Sequence, residues 1–199
     1  MKKILLPVII VGSILILLIF SFVGSYNKLV GLEEGVKSAW SQVENVYQRR
    51  LDLIPNLVQT VKGYAAHERE TLEGVVQARA KATQTTISPE IINNPDAFAK
   101  FQEAQSGLSG ALSRLMVVVE KYPDLKANES FLNLQAQLEG TENRITVERM
   151  RYNETAKEFN TVIRRFPTVF LARLMGFSEK AYFKAEAGAQ EVPKVDFGR

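Results

Sequence analysis

The residues of this sequence that could do chemistry are charged and polar side chains carried on apolar periodic segments. Arg50 falls on an apolar stripe, and Asp52 lies two residues further on. A charge in that position predicts a site for a ligand or lipid headgroup, or a buried ion pair that sets the register between helices. We favour the ion pair, because a buried charge needs a partner. The candidates for this polar network are Arg49, Arg50, Asp52, Asn56, Glu68, Glu142, Arg149 and Tyr152.

We expect the second half of the network to be interhelical rather than catalytic, with Arg149 paired to Glu142 or to Glu68. His67 is the single histidine and cysteine is absent, which excludes a His-Glu-x-x-His zinc site, thiolate ligands and disulfides. A carboxylate metal site from Glu68, Glu70 and Glu142 has no supporting spacing. With no phosphate loop or nucleophile elbow, we predict no catalytic residue, metal or cofactor, and a protein that is not an enzyme.

Residues 4–23 form a run of uncharged residues long enough to cross a bilayer as one helix. A weak cleavage match ends at Ser25, so a signal peptide is the alternative, but the apolar run exceeds the usual signal core. The absence of cysteine excludes a lipoprotein anchor. Lys2 and Lys3 precede the run, and the positive-inside rule places the N-terminus in the cytoplasm and residues 26–199 outside it.

Apolar residues then recur at helical spacing in three long segments, near residues 27–86, 95–122 and 128–166. Asn94 followed by Pro95, and Asn128, are N-terminal cap signals. Pro55 is expected to kink the first helix, Pro123 to end the second and Pro167 to close the third. A short helix is expected at 169–175, with Gly176 as its C-terminal stop, and residues 178–187 are a candidate for one more.

These segments predict an all-α fold: a transmembrane helix that continues into an elongated antiparallel bundle of three long helices and a short C-terminal helix. The expected organisation is an anchor at 1–25, the bundle at 26–187 and an extended tail at 188–199 that could bind the bundle or a partner. The net charge of +3 is spread without a Lys/Arg block, so a nucleic-acid surface is not expected.

Helix lengths suggest that the second and third helices cover only the distal half of the first. The proximal stripe would then lack a partner in its own chain, which predicts packing against other copies unless the helix folds back at Pro55. The expected oligomer-interface residues are Leu32, Val36, Trp40, Val43 and Val46.

The sequence resembles the LemA family over nearly its whole length. The stretches that carry the resemblance are Arg49-Arg50-Leu51-Asp52-Leu53-Ile54-Pro55-Asn56-Leu57, Tyr122-Pro123-Asp124-Leu125-Lys126-Ala127-Asn128-Glu129, Glu139-Gly140-Thr141-Glu142-Asn143-Arg144, and Arg165-Phe166-Pro167. The resemblance implies a bacterial membrane protein with one N-terminal anchor, a helical bundle and no established enzymatic activity. A related member serves the machinery that forms magnetosome membranes, which implies a role in membrane organisation.

Three functions remain open. The first is a self-associating scaffold that organises or shapes the membrane. The second is an envelope receptor or adaptor that holds another protein through the bundle or tail. The third, a metal-dependent hydrolase, is the weakest because only carboxylates are available as ligands.

Overall fold

The computed structural model describes residues 2–85 and 88–184, which form six α-helices and one 3-10 helix and contain no strand. In chain order the α-helices are α1 (Lys2–Tyr64), α2 (Arg69–Gln84), α3 (Pro95–Val119), α4 (Pro123–Lys126), α5 (Glu129–Arg164) and α6 (Thr168–Leu174), with the 3-10 helix at Pro89–Asn93. The predicted all-α class is confirmed. The predicted extended tail lies outside the described residues.

The two predicted N-terminal caps are present. The Asn94 side-chain oxygen accepts hydrogen bonds from the backbone N–H groups of Asp96 and Ala97, each at 3.1 Å, and Pro95 is the first residue of α3. Asn128 accepts from the backbone N–H of Phe131 at 3.0 Å and begins α5. Each cap satisfies N–H groups that have no partner within the helix.

The C-terminal expectations are met in part. Gly176 follows α6 with a φ of 77°, the left-handed conformation that stops a helix and that glycine adopts without steric cost. The helix predicted from residue 178 is wrong for its described part, because residues 178–184 carry no regular secondary structure.

The predicted continuous helix at 27–86 is wrong, because the chain reverses at residues 65–68. α1 ends at Tyr64 and α2 begins at Arg69 and returns along the bundle. The corner is held by side chains from distant parts of the chain: Asn128 donates to the Tyr64 hydroxyl at 2.9 Å, and the Tyr122 hydroxyl donates to Glu68 at 3.1 Å. Gly63 is a weak local stop signal just before the corner, and these tertiary contacts help to fix its position.

α1 and α5 lie antiparallel along the whole bundle. A Cβ atom added at Gly35 would lie 3.7 Å from the Thr155 side chain. Further along α1, Arg50 binds Glu142 and Tyr64 binds Asn128. Residue numbers thus fall along α5 as they rise along α1, so the two helices run in opposite directions. α5 is 36 residues long, about 54 Å at 1.5 Å per residue. Starting beside the corner at residue 65, α5 therefore reaches down to the proximal part of α1, which the predicted helix lengths left uncovered.

Pro55 lies inside α1, which continues as one helix, so the alternative of a fold-back at this residue is excluded. A proline removes the hydrogen bond that the carbonyl four residues earlier would accept, here that of the buried Leu51. The Arg79 guanidinium of α2 donates to this carbonyl at 2.9 Å. The neighbouring helix thus replaces the bond that Pro55 cannot make, as buried backbone groups require.

The described part of the chain contains one helix that is long and apolar enough to span a membrane, near the N-terminus. The apolar side chains that the structure describes between Ile10 and Val23 are exposed, whereas Leu29 and later apolar residues of α1 enter the bundle core. α1 therefore joins the apolar span to the far end of the bundle in a single helix of 63 residues, about 95 Å long.

Candidate functional site

Arg50 occupies the centre of a polar layer between α1, α3 and α5. The guanidinium donates to Glu142 at 2.7 Å and to the Ser109 hydroxyl at 3.0 Å, and it also bonds the side-chain oxygen of Gln105. Its charge lies 5.0 Å from the centre of the Tyr47 ring. The predicted buried ion pair thus exists, but its partner is Glu142 of α5 and not Asp52.

Most, but not all, of the polar atoms in this layer form hydrogen bonds. Arg50 is 1 % exposed, whereas the Glu142 side chain is 42 % exposed. Within the described residues, Arg50 Nε and Gln105 Nε2 are buried without a hydrogen-bond partner. A buried charge with one half-solvated partner favours a single alignment of three helices over any shifted one, because a shift would leave the charge unpaired.

Several predicted network residues lie elsewhere. Asp52 accepts from Gln48 on the surface at 2.7 Å, and Arg49 and Asn56 are exposed. Glu68 belongs to the corner at residues 65–68, far from Arg50 along α1. The structure therefore does not bring the eight predicted residues into one cluster.

The predicted pairing of Arg149 with Glu142 or Glu68 is wrong. Arg149 donates to the backbone carbonyl of Lys184 at 3.1 Å, and its guanidinium lies 4.7 Å from the centre of the Phe183 ring. Arg149 therefore holds the segment at residues 178–184, which we call the C-terminal segment.

Two asparagines of α5 bind the C-terminal segment. Each side-chain amide forms two hydrogen bonds with the backbone of one residue, as a neighbouring β-strand would. Asn160 donates to the Lys180 carbonyl at 2.9 Å and accepts from the Lys180 N–H at 2.8 Å. Asn153 does the same for Phe183, at 3.0 and 2.9 Å. Asn153 and Asn160 are seven residues apart on α5, a rise of about 10.5 Å. Lys180 and Phe183 are three extended residues apart, which is nearly the same distance. The seven-residue spacing of the two asparagines is the sequence signal that could have identified this pairing.

Lys180 fixes the C-terminal segment to the far side of the core. Its ammonium group is buried and binds Glu33 of α1 at 2.6 Å and Asn93 of the 3-10 helix at 2.7 Å, and it lies 4.9 Å from the Phe159 ring centre. One side chain therefore ties together three parts of the chain that are far apart in sequence. Sequence reasoning missed it because the residues contain no local pattern.

An aromatic cluster closes over the C-terminal segment. Trp40 contacts Phe98, Tyr152 and Phe183 with ring-centre distances of 5.7, 5.4 and 6.0 Å. The Tyr152 hydroxyl donates to the Ala181 carbonyl at 2.8 Å, and burial raises the pKa of this tyrosine above its ordinary value of 10.0. Tyr152, a predicted network residue, is thus part of the core.

The premise of the predicted oligomer interface is wrong. Val36, Trp40 and Val43 are fully buried within the single chain, and Leu32 and Val46 pack partly buried against the same core. They are covered by α5, the start of α3 and the C-terminal segment. The chain reverses at residues 65–68 and not at residue 86, so the later helices extend further down α1 than the predicted lengths allow.

The described residues contain no group of three or more His, Cys, Asp or Glu side chains able to hold a metal ion. A surface groove between α3 and α5 lies beside the Arg50 layer and has a volume of about 530 Å³. Ser109, Met116, Gln135, Glu142 and Asn143 are among the residues that line it.

The fold first defines a class: a membrane-associated helical protein, whose bundle is built on the same helix that can span the bilayer. The chain belongs to the LemA family, whose sequence model matches residues 39–197. This confirms the resemblance seen in the sequence.

Three relatives illustrate the similarity. The chain is 26 % identical to the magnetosome protein MamQ of Magnetospirillum gryphiswaldense over 209 residues, which cover 95 % of this chain and 76 % of the relative. It is 27 % identical to magnetosome protein MamQ 2 of Paramagnetospirillum magneticum over 186 residues, 85 % of this chain and 68 % of the relative. It is also 27 % identical to protein LemA of Metamycoplasma hominis over 177 residues, 89 % of this chain and 75 % of the relative.

Proposed function

We propose that this protein is a non-enzymatic, membrane-anchored helical scaffold that organises the membrane in which it lies. The observation that carries the proposal is the continuity of α1 from the apolar span to the distal corner of the bundle. Residues of α1 from Leu29 to Val61 supply the bundle core, so the bundle cannot swing on its anchor without bending a helix. A stiff connection fixes the orientation of the bundle relative to the membrane. A scaffold requires this fixed orientation, whereas a tethered receptor does not.

The buried polar contacts support the same proposal. Arg50 and Lys180 each hold several chain segments in one arrangement. These charges are used to align helices and the C-terminal segment, which favours a rigid body over an open catalytic cleft. Two of the relatives are named as magnetosome proteins, and we extend to this chain a role in organising a cellular structure.

Self-association is part of the proposal, but it does not involve the residues first assigned to it, because these lie in the core. The bundle offers other apolar side chains to a second copy. Examples on its exposed faces are Val76, Val117 and Met150.

The test is the full-length protein reconstituted in lipid vesicles, studied by native mass spectrometry and electron cryomicroscopy. We expect a defined multiple of 22.3 kDa and clustered protein with altered vesicle shape. Monomers dispersed on unchanged vesicles would overturn the scaffold.

A pair of insertions tests the role of stiffness. Seven helix-forming residues inserted between Gly24 and Ser25 lengthen α1 by about 10 Å and nearly keep its rotational phase, whereas seven Gly/Ser residues make a flexible joint. The helical insertion should preserve clustering and the flexible one should abolish it, with equal helicity and membrane content in both. Equal behaviour of the two insertions contradicts the proposed role of the continuous helix.

The groove between α3 and α5 favours an adaptor as the second candidate. It combines Leu112, Met116 and Leu138 with the polar groups beside Arg50, as a peptide-binding surface does. A photo-crosslinking side chain can be placed at the position of Ser113. Stoichiometric crosslinking of one heterologous protein from this position, lost when Met116→Glu is added, would support the adaptor. Crosslinks confined to copies of this chain would support the scaffold.

A further inference from the structure

We propose that α6 and the turn before it form a second contact with the bilayer, in addition to the α1 anchor. The contacting surface is a ridge made of Phe166, Phe170 and Leu174, which we call the α6 ridge. It would lie at the boundary between lipid headgroups and acyl chains. The inference rests on the apolar span being in the membrane, and it does not depend on the scaffold function.

The α6 ridge is apolar and unusually exposed. Its three side chains follow one another at intervals of four residues and are 82 %, 65 % and 76 % exposed, and the rings of Phe166 and Phe170 lie 6.0 Å apart. Leu171 and Ala172 on the other face of α6 are buried in the bundle. α6 is therefore apolar on both faces, which is typical of a helix in contact with a core on one side and with lipid on the other.

The position of α6 puts this ridge at the membrane surface. Phe177, just after α6, contacts Tyr26 of α1 with a ring-centre distance of 6.1 Å. Tyr26 is three residues beyond Val23, the last residue of the apolar run, which is about 4.5 Å along the helix axis. The headgroup region on each side of the hydrocarbon core is about 5–7 Å thick. The base of the bundle and the ridge beside it thus fall within the interfacial layer.

Charge around the ridge also fits a lipid surface. Lys28, Arg165 and Arg173 are exposed, and so is Arg164, whose Nε lies 3.7 Å from the partly exposed Glu179. These exposed cations fit an interface that contains anionic headgroups. Aromatic rings and arginines are also the side chains that interfacial layers accommodate best.

Continuity with the anchor selects the bilayer as the occupant over a second copy of the chain. The described apolar side chains of the span, including Phe20, Phe22 and Val23, are exposed and lead directly to Tyr26 and Val30. The α6 ridge extends that surface sideways at the same level. A bilayer that contains the apolar span would also cover the α6 ridge, so no further protein is needed to cover it.

Tryptophan depth measurements on the full chain in vesicles of phosphatidylcholine and phosphatidylglycerol test the proposal. The chain has one tryptophan, the buried Trp40, which gives a constant background. The probe is Phe170→Trp, with Leu17→Trp as the control inside the span and Leu132→Trp as the control on an exposed face of the bundle. All three sites are exposed, so each variant should fold, as the circular dichroism spectrum will verify.

We expect added emission from Phe170→Trp to be blue-shifted and quenched by lipids brominated near the headgroups, more than by lipids brominated near the chain ends. Leu17→Trp should be quenched more by lipids brominated near the chain ends than by those brominated near the headgroups. Leu132→Trp should show neither a blue shift nor quenching by lipids. Red, unquenched emission from Phe170→Trp overturns the proposal. Blue-shifted emission that lipids do not quench also overturns it and assigns the ridge to protein contact. Loss of quenching in Leu17→Trp would instead show that the anchor itself is not in the membrane.

Discussion

At the scale of the residue, Arg50 shows how a single charge can determine the alignment of helices. It is nearly inaccessible to water, and its partners come from α3 and α5. We expect Arg50→Ala to lower the free energy of unfolding by about 3 kcal/mol, because it leaves a cavity and unpaired polar groups. The melting temperature in detergent should fall by about 6–12 °C.

The exposed neighbour Arg49 is the matched control, and Arg49→Ala should stay within about 0.5 kcal/mol of the unmodified protein. Arg50→Lys should fall between the two, because an ammonium group cannot reproduce the planar donor set of a guanidinium. An Arg50→Ala protein with unchanged melting temperature and a lost cellular phenotype would make this residue a functional site rather than a structural one.

Arg79 and Pro55 should be energetically coupled through the Leu51 carbonyl. Arg79→Met removes the donor of this buried carbonyl and should cost about 1–2 kcal/mol. In a Pro55→Ala background the new backbone N–H can bond the same carbonyl, so Arg79→Met should cost less. A double-mutant cycle from denaturant unfolding measures the difference, and strictly additive effects would show that Arg79 acts in another way.

At the scale of the element, local and distant interactions determined different features of the fold. The starts of α3 and α5 were predictable because Asn94 and Asn128 bond N–H groups within three residues. The corner at residues 65–68 was not predictable in this way, because its contacts with Tyr122 and Asn128 join residues more than fifty positions apart. The apolar stripes continue across the corner, and periodicity alone therefore suggested one long helix.

The C-terminal segment should depend on Lys180 for its attachment. Lys180→Met removes the bonds to Glu33 and Asn93 and leaves Glu33 without this partner. We expect faster backbone hydrogen exchange at residues 178–184, with the exchange of α5 unchanged. The matched control is Lys184→Met, because the bonds of Lys184 with other described residues come from its backbone. Equal protection in the two variants would show that the asparagine pairs alone hold the segment.

At the scale of the whole molecule, one helix joins the candidate membrane span to the bundle, so the orientation of that span decides which compartment the bundle occupies. The lysines before the apolar run predict a cytoplasmic N-terminus. Because cysteine is absent, a single introduced thiol reports its own position. In intact cells a membrane-impermeant maleimide should label Gln59→Cys on the bundle surface and should not label a cysteine inserted after Met1.

Permeabilised cells provide the control, since both thiols should then react. Labelling of the N-terminal thiol alone in intact cells would reverse the orientation and place the bundle in the cytoplasm. The α6 ridge would then face the inner leaflet, where anionic lipids attract juxtamembrane cations.

The sequence by itself determined the apolar span, the helical class, the main capping sites, the burial of Arg50 and membership of the LemA family. Each of these follows from residues that are close in the chain or from a pattern that spans it. Only the tertiary structure decided that Glu142 is the partner of Arg50, that Lys180 ties the C-terminal segment to Glu33, and that Val36, Trp40 and Val43 belong to the core of one chain. A side chain's type and period predict whether it is buried, but the identity of its partner depends on where the chain reverses, and here that point is set by distant contacts.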